Sequence, residues 1–253
     1  MATEGIAYMG SWQYAPAADL HQPLRERLRR FPREPDLMIY GLRSTAAVIL
    51  RAWLRLYHRL RIEGAENLPQ DQSFVLVANH SSHLDTLCLL SALPLWKLHR
   101  AFPAAAQDYF FVKARRLALA AIAVNALPFA RQCHVRHSLD LCRELLSNRG
   151  NILILFPEGT RTRNGQIGEF KPGIGALVAG SDIPVVPCHL NGTFEAWPKG
   201  KWFPRPRAVR LAIGQPRTYA TLDPGREASD QICRELRHAV IALSRKETEY
   251  ETD

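Results

Sequence analysis

The sequence predicts an α/β fold in which helices flank a mixed, largely buried sheet, with an amphipathic helix near the N-terminus. Continuous apolar runs of strand length occur at 74–78 and 152–156, as in strands that are buried on both faces. Apolar residues recur at helical spacing in 138–147 and 230–245. Because strand and helix signals alternate along the chain, helices are expected to cover the sheet.

The other elements follow from local signals. Residues 1–34 are irregular in composition and combine several prolines with aromatic residues, so we expect a loosely ordered lead-in or a flap on the main domain. Residues 64–72 are rich in turn formers and lead into the strand at 74–78. The apolar segment 117–130 is too short to span a bilayer, and it predicts a buried or interfacial helix that Pro128 ends. The remaining predicted elements are helices at 86–93 and 173–179 and strands at 185–190 and 209–213.

Basic residues interrupt the long apolar segment 37–60, so it does not qualify as a membrane span. On a helix, its arginines would form a drifting basic stripe, with the large apolar residues mostly elsewhere. The arginines are Arg43, Arg51, Arg55 and Arg59, and the apolar residues are Leu50, Trp53, Leu54, Tyr57 and Leu60. Two interpretations stay open here: a helix on an anionic bilayer surface, or a helix packed on the domain with a solvated basic face.

The length and composition of the chain limit how it can be divided into domains and which classes of partner it can bind. The 253 residues suit one main domain at 62–220, preceded by the lead-in and amphipathic helix at 1–61 and followed by a packed C-terminal helix at 221–253. The net charge of +9 favours anionic partners. A nucleic-acid-binding module rests on charge alone, so we expect no nucleic acid partner. Five scattered cysteines predict reduced thiols, and no secretory signal opens the chain.

A histidine and a carboxylate follow the strand at 74–78, as His80 and Asp85. Residues five apart on one helix are rotated by roughly 140°, so the two side chains meet only if His80 lies at the strand–helix junction. Histidine is the usual general base near neutral pH, and a carboxylate is the usual group that orients it. The alternatives are a structural pair beside a helix capped by Ser81 or Ser82, and a metal site that includes His83.

A turn with cationic residues follows the strand at 152–156. It holds Glu158, Gly159, Thr160 and Arg161, and Lys171 comes shortly after it. Glycine lets a ligand approach the backbone, and arginine binds phosphate through a planar fork of donors. A solvated basic loop is the alternative interpretation. Together with His80, the turn suggests a base that acts on a hydroxyl of a phosphorylated substrate.

The sequence resembles the glycerolipid acyltransferases, the lysophosphatidic acid acyltransferase group, over residues 62–216. Residues 79–85 are similar to the H-x4-D motif of that family, residues 156–161 to its third motif and residues 183–187 to its fourth. The second motif departs from the family pattern, because Asn125 replaces a glycine and Pro128 an aromatic residue, although Arg131 falls in place.

This resemblance implies transfer of an acyl group from acyl-CoA or acyl carrier protein to the free hydroxyl of a lysophospholipid. The acceptor is expected to be 1-acylglycerol-3-phosphate, giving phosphatidic acid. His80 is implied as the general base and Asp85 as its orienting group, without a covalent intermediate. The implied phosphate-binding residues are Arg131, Glu158, Gly159, Thr160, Arg161 and Lys171.

The resemblance also implies no cofactor beyond the acyl donor and no metal. Because acceptor and product would be lipids, it favours the membrane interpretation of the 37–60 helix. We therefore expect a peripheral or monotopic protein at the cytoplasmic face of an anionic membrane. An acyltransferase of the same fold that acts on another lipid alcohol or amine, such as a glycolipid or an acylated amino acid, is the alternative function. The irregular second motif is its main support.

Overall fold

The computed structural model describes residues 37–106, 127–129 and 135–250. Seven strands form the sheet in the order β1-β7-β6-β2-β5-β3-β4. Strands β6 and β7 pair antiparallel, and the other described neighbours pair parallel. The strands are β1 (Arg61–Glu63), β2 (Phe74–Ala78), β3 (Ala101–Ala106), β4 (Leu127–Phe129), β5 (Ile152–Leu155), β6 (Val185–Asn191) and β7 (Arg210–Ile213).

Helices accompany the strands along the chain. They are α1 (Leu37–Tyr57), α2 (Leu84–Ala92), α3 (Val135–Ser147), α4 (Gly173–Val178), α5 (Thr193–Ala196) and α6 (Arg226–Tyr250), with 3-10 turns at Ala65–Asn67 and Leu95–Arg100. The predicted class, a mixed α/β fold with helices around the sheet, is confirmed. Among the described residues, no helix is both long enough and apolar enough to cross a membrane.

Apolar side chains cover both faces of the sheet. All five residues of β2 are buried, and because successive side chains point to opposite faces, they divide between two clusters. Phe74, Leu76 and Ala78 pack in the cluster that includes residues of α1 and α2. Val75 and Val77 pack in the cluster that includes residues of α3, α4 and α6. Burial on both faces accounts for the unbroken apolar run of this strand.

Three of the strands are not predicted from the sequence: β1, β3 and β4. Strand β1 falls in a segment that precedes the predicted turns, and β3 is mostly alanine with one proline, which are poor strand formers. The helix predicted at 117–130 is wrong for 127–129, which form β4 beside β3. The rest of that segment, and the lead-in at 1–34, lie outside the described residues.

The arginines of the predicted basic stripe on α1 do not all lie on one exposed face of the helix. The Arg51 guanidinium donates a hydrogen bond to the Leu93 carbonyl at the end of α2, so this arginine points into the domain. Arg43 is half-buried and lines a small crevice between α1 and α2. The outward residues of α1 include apolar ones, with Ile49 65% exposed and Leu56 82% exposed. The long aliphatic stems of arginine allow such inward packing.

Candidate active site

Three loops meet at the carboxyl edge of the sheet. Strand β2 lies between β5 and β6 and runs parallel to both, so the segments that follow these three strands emerge side by side. They are residues 79–83, 156–161 and 192–197. Asn79 ties the first segment to strand β6: its side-chain amide donates to Leu190 O at 2.9 Å, and its Oδ1 accepts from Leu190 N at 2.8 Å.

His80 and Asp85 are in direct contact. The Nδ1 atom of His80 lies 2.9 Å from Oδ2 of Asp85. His80 is the second residue after the end of β2, and Asp85 lies in the first turn of α2, which is the arrangement that lets residues five apart meet. The histidine side chain keeps 21% of its surface exposed, whereas Asp85 is fully buried. With Nδ1 bound to the carboxylate, Nε2 is the nitrogen available to take a proton.

Backbone donors hold the Asp85 carboxylate. Its Oδ2 accepts from Ser81 N at 2.7 Å and from Ser82 N at 2.8 Å, besides the contact with His80. Hydrogen bonds must replace the water that a buried carboxylate loses, and these two amides do so for Oδ2 from the turn that carries His80, whereas Oδ1 has no hydrogen-bond partner among the described residues. The imidazole and its orienting group are therefore fixed by one short segment of chain.

The second loop braces the histidine from another side. The His80 ring stacks on Phe156, with centroids 4.0 Å apart and planes at 17°. The backbone N–H of His80 donates to Glu158 Oε1 at 2.8 Å, and its carbonyl accepts from Thr162 N at 2.8 Å. The two main-chain bonds fix the backbone of His80, while the Phe156 stack and the Asp85 contact hold its ring.

Glu158 is bound at both oxygens. While Oε1 accepts from His80, Oε2 accepts from Gly168 N at 2.9 Å. Burial raises the pKa of the Glu158 carboxyl, against the opposing effect of these two backbone donors. This carboxylate connects the His80 turn to the segment at 168, and it does not present a bare oxygen to a substrate.

The remaining predicted binding residues lie on or beside this turn. Gly159 has φ of 71°, and a Cβ there would lie 2.8 Å from Lys171 Nζ, so the lysine side chain crosses the glycine closely. Thr160 and Lys171 are exposed, and Arg161 is half-buried. Arg131 lies outside the described residues. Two cations therefore stand next to the His80–Asp85 pair, and one of them, Lys171, lies over the Gly159 backbone.

His83 occupies the N-cap position of α2 and contacts the third loop. Its ring lies 5.4 Å from that of Trp197, centroid to centroid, and Ser82 Oγ donates to Trp197 O at 2.7 Å. Burial, with the charge of Arg161 second, lowers the pKa of His83 to about 4. A neutral imidazole here adds no positive charge beside His80 at neutral pH.

Sequence reasoning gave no role to Phe156, Trp197 or Asn79. Their functions depend on which strands become neighbours, and no local spacing reveals that. The parallel pairing of Val77 with Leu155 is what places Phe156 beside His80. Among residues 37–106, 127–129 and 135–250, no group of three or more His, Cys, Asp or Glu side chains is arranged to hold a metal ion.

Comparison with known proteins places this chain in a family. The sequence profile of the acyltransferase family matches residues 59–191, more than half of the 253-residue chain. The chain belongs to the acyltransferase family. The matched region of this acyltransferase-family chain begins just before β1 and ends with β6, so it contains the first two loops of the candidate site.

Curated relatives of this acyltransferase-family chain carry one activity in their names. It is 35% identical over 148 residues to a chloroplastic 1-acyl-sn-glycerol-3-phosphate acyltransferase of Arabidopsis thaliana, covering 57% of this chain and 39% of that protein. It is 31% identical over 192 residues to a 1-acyl-sn-glycerol-3-phosphate acyltransferase of Chlamydomonas reinhardtii, covering 74% and 53%. The matched part therefore spans about two fifths to one half of these relatives.

A solved structure shares the fold. The crystal structure of the 1-acyl-sn-glycerophosphate (LPA) acyltransferase PlsC from Thermotoga maritima aligns with a TM-score of 0.58, covering 83% of this chain and 85% of that one. Its sequence identity of 23% makes this a likeness of fold.

Proposed function

We propose that this protein is an O-acyltransferase that moves a fatty acyl group from acyl-CoA or acyl carrier protein to the free hydroxyl of 1-acylglycerol-3-phosphate, giving phosphatidic acid. The observation that carries this proposal is the His80–Asp85 pair at the carboxyl end of β2, beside a cationic turn at the end of the neighbouring β5. Relatives named for this reaction support the choice of acceptor.

In the proposed reaction, His80 Nε2 takes the proton of the acceptor hydroxyl while that oxygen attacks the thioester carbonyl. The new C–O bond forms, the C–S bond breaks, and the imidazolium returns its proton to the leaving thiolate. Asp85 stabilises the imidazolium and keeps Nδ1 protonated before the transfer. The acceptor oxygen is itself the nucleophile, so the chain forms no covalent intermediate.

The phosphate of the acceptor is proposed to lie over the turn at 158–161. Arg161 and Lys171 supply positive charge, while Gly159 and Thr160 supply an approachable backbone and a hydroxyl. Arg131 is proposed to add a further cation. Since both oxygens of Glu158 already accept backbone bonds, we assign this residue to positioning His80.

The setting of this reaction is proposed to be an anionic membrane, with the protein peripheral or monotopic at the cytoplasmic face. The lipid nature of the acceptor and product supports this setting, as does the net charge of +9. Helix α1 is proposed to contact the bilayer through its outward apolar residues, which include Ile49 and Leu56.

A screen of acceptors and donors tests the proposal. Purified protein in anionic vesicles is offered lysophosphatidic acid, other lysophospholipids, glycolipids and acylated amino acids, with acyl-CoA or acyl carrier protein, and mass spectrometry identifies the product. We expect phosphatidic acid to dominate. A strong preference for a non-phosphorylated alcohol or amine would instead support the related acyltransferase function and reject lysophosphatidic acid as the acceptor.

Substitution of the pair tests the chemistry. We expect His80→Ala to lower kcat by at least roughly a hundredfold, because a positioned general base contributes about 10² or more. Asp85→Asn should lower kcat as well, since the amide cannot stabilise the imidazolium. His238→Ala, on the exposed face of α6, is the matched control and should keep wild-type turnover. Near wild-type kcat in a folded His80→Ala protein would contradict the assigned role.

A further inference from the structure

Two adjacent aromatic side chains project from the surface beside the candidate site. Trp202 is 74% exposed and Phe203 is 79% exposed. They lie in residues 198–207, which we call the Trp-Phe loop. Large aromatic groups gain free energy when they leave water, so an exposed pair is characteristic of a surface that meets a partner.

Hydrogen bonds give the Trp-Phe loop a defined shape. Arg205 N donates to Ala196 O at 2.7 Å, and Lys201 N donates to Pro198 O at 3.2 Å. The indole N–H of Trp197 donates to Lys201 O at 2.8 Å. The loop is therefore tied back to Ala196 at the end of α5 and to Trp197, and the aromatic pair lies between the two tied residues, Lys201 and Arg205.

The charges around the pair have one sign. Lys199, Lys201, Arg205 and Arg207 are all exposed. The sequence has no Asp or Glu from 198 to 209. A cluster of cations with no acidic residue complements an anionic surface, and each cation near a negatively charged leaflet adds to the attraction.

Helix α1 extends this surface. Tyr57 Oη, at the end of the helix, donates to Pro204 O at 3.2 Å, so the end of α1 and the Trp-Phe loop are in contact. Behind that contact the helix displays Val48, Ile49 and Leu56, which are 51%, 65% and 82% exposed. The residue that follows the aromatic pair, Pro204, is thus in contact with the end of the helix that carries this outward apolar face.

The loop also begins at the candidate active site. Ser82 and Pro198 form a β-bridge, and Ser82 Oγ donates to Trp197 O at 2.7 Å. Ser82 is two residues from His80. A lipid surface that receives the Trp-Phe loop would therefore lie close to the turn that carries the histidine.

We infer that the Trp-Phe loop is a second membrane-docking element, in which Trp202 and Phe203 enter the headgroup region and the four flanking cations bind anionic phospholipid. Tryptophan beside cations suits the membrane interface, where one part of the side chain is apolar and another is wet. The outward apolar face of α1 favours a bilayer over an acidic carrier protein as the occupant. This inference rests on the proposed function for the lipid nature of the acceptor.

Vesicle binding tests the inference without any turnover. Wild-type protein and the double variant Trp202→Ser/Phe203→Ser are sedimented with vesicles of phosphatidylcholine alone or mixed with phosphatidylglycerol. We expect the variant to bind the mixed vesicles at least roughly tenfold more weakly. Replacing Lys199, Lys201, Arg205 and Arg207 by Gln should remove the preference for the anionic vesicles. Trp96→Ala, which removes another exposed tryptophan (52%), should bind like wild type.

A parallel assay separates this inference from the proposed function. With a short-chain, water-soluble acceptor, Trp202→Ser/Phe203→Ser should keep wild-type kcat while its rate on vesicle-borne acceptor falls. Vesicle binding that is unchanged in the double variant would overturn the inference, whether or not the protein transfers acyl groups. Normal vesicle binding with loss of transfer from acyl carrier protein would assign the loop to that protein and overturn the inference as well.

Discussion

At the scale of single residues, one oxygen of Asp85 performs two tasks. Oδ2 accepts the backbone N–H groups of Ser81 and Ser82 and also contacts His80 Nδ1. Because Asp85 is fully buried, these donors stand where water would otherwise solvate the charge. The base and its orienting group therefore depend on the same turn, and a shift of that turn would displace both together.

Substitution of Glu158 tests whether its hydrogen bond to the His80 backbone positions the histidine for catalysis. In Glu158→Gln one of the two backbone N–H groups, on His80 or on Gly168, would face an amide N–H₂ instead of an oxygen. Loss of such a bond costs about 1–1.5 kcal/mol, so we expect kcat to fall about tenfold with KM for the acceptor little changed. Steady-state kinetics over a range of acceptor concentrations measures both parameters.

The neighbouring Glu169 supplies the control for that experiment. Its side chain is 85% exposed and lies 3.5 Å from Arg237, so Glu169→Gln should behave like wild type. If Glu158→Gln raised KM and left kcat intact, Glu158 would be an acceptor-binding residue, as the sequence resemblance implies, and the positioning role would be wrong.

At the scale of elements, α4 and α6 approach each other through a glycine. A Cβ on Gly175 would lie 2.3 Å from Ser229 O and 2.5 Å from Ser229 Cα, which are backbone atoms that cannot swing aside. We expect Gly175→Ala to lower the free energy of unfolding by about 1–3 kcal/mol, because the two helices must separate. Urea denaturation at constant pH gives the difference.

The first residue of α4 is a matched control for this close contact. Nothing lies within 4 Å of a Cβ on Gly173, so Gly173→Ala should be neutral or stabilise by up to about 1 kcal/mol. Equal unfolding free energies for the two alanine variants would show that the helix crossing does not require a glycine.

Elements with strong periodicity could be predicted from sequence, and elements that depend on their neighbours could not. Continuous apolar runs identify β2 and β5 in the sequence. Apolar residues at helical spacing identify α3 and α6. Strand β4 has three residues, one of them proline, and exists because β3 lies beside it. A local window contains no signal for such a strand.

The orientation of α1 shows a second limit of sequence patterns. Periodicity locates the helix correctly and separates arginines from large apolar residues, yet it does not tell which side meets the domain. Arg51 packs inward because its guanidinium finds the Leu93 carbonyl, and Leu56 points outward. The same holds for the candidate site: the His80–Asp85 spacing is visible in the sequence, whereas the stacking of Phe156 depends on strand order.

At the scale of the whole molecule, folding buries titratable histidines both at the candidate site and away from it. Burial lowers the pKa of His83, His99 and His189 from 6.5 to about 4. Each is neutral when folded at pH 6 but takes up a proton near pH 6.5 when the chain unfolds. The stability that this difference contributes is fully present above pH 6.5, and it is lost as pH falls toward 4.

Substitution of His189 measures the contribution of one buried histidine to this loss of stability at acid pH. It lies in β6, 8% exposed, and pairs with Ala212 of β7. In wild type it should add up to about 1.4 kcal/mol per pH unit to the loss of unfolding free energy between pH 6.5 and 4. His189→Gln cannot take up that proton, so its stability should fall less steeply over this range in urea titrations at successive pH values. The exposed His238→Gln should retain the wild-type slope, and an equal slope in His189→Gln would show that this imidazole is already protonated in the folded protein.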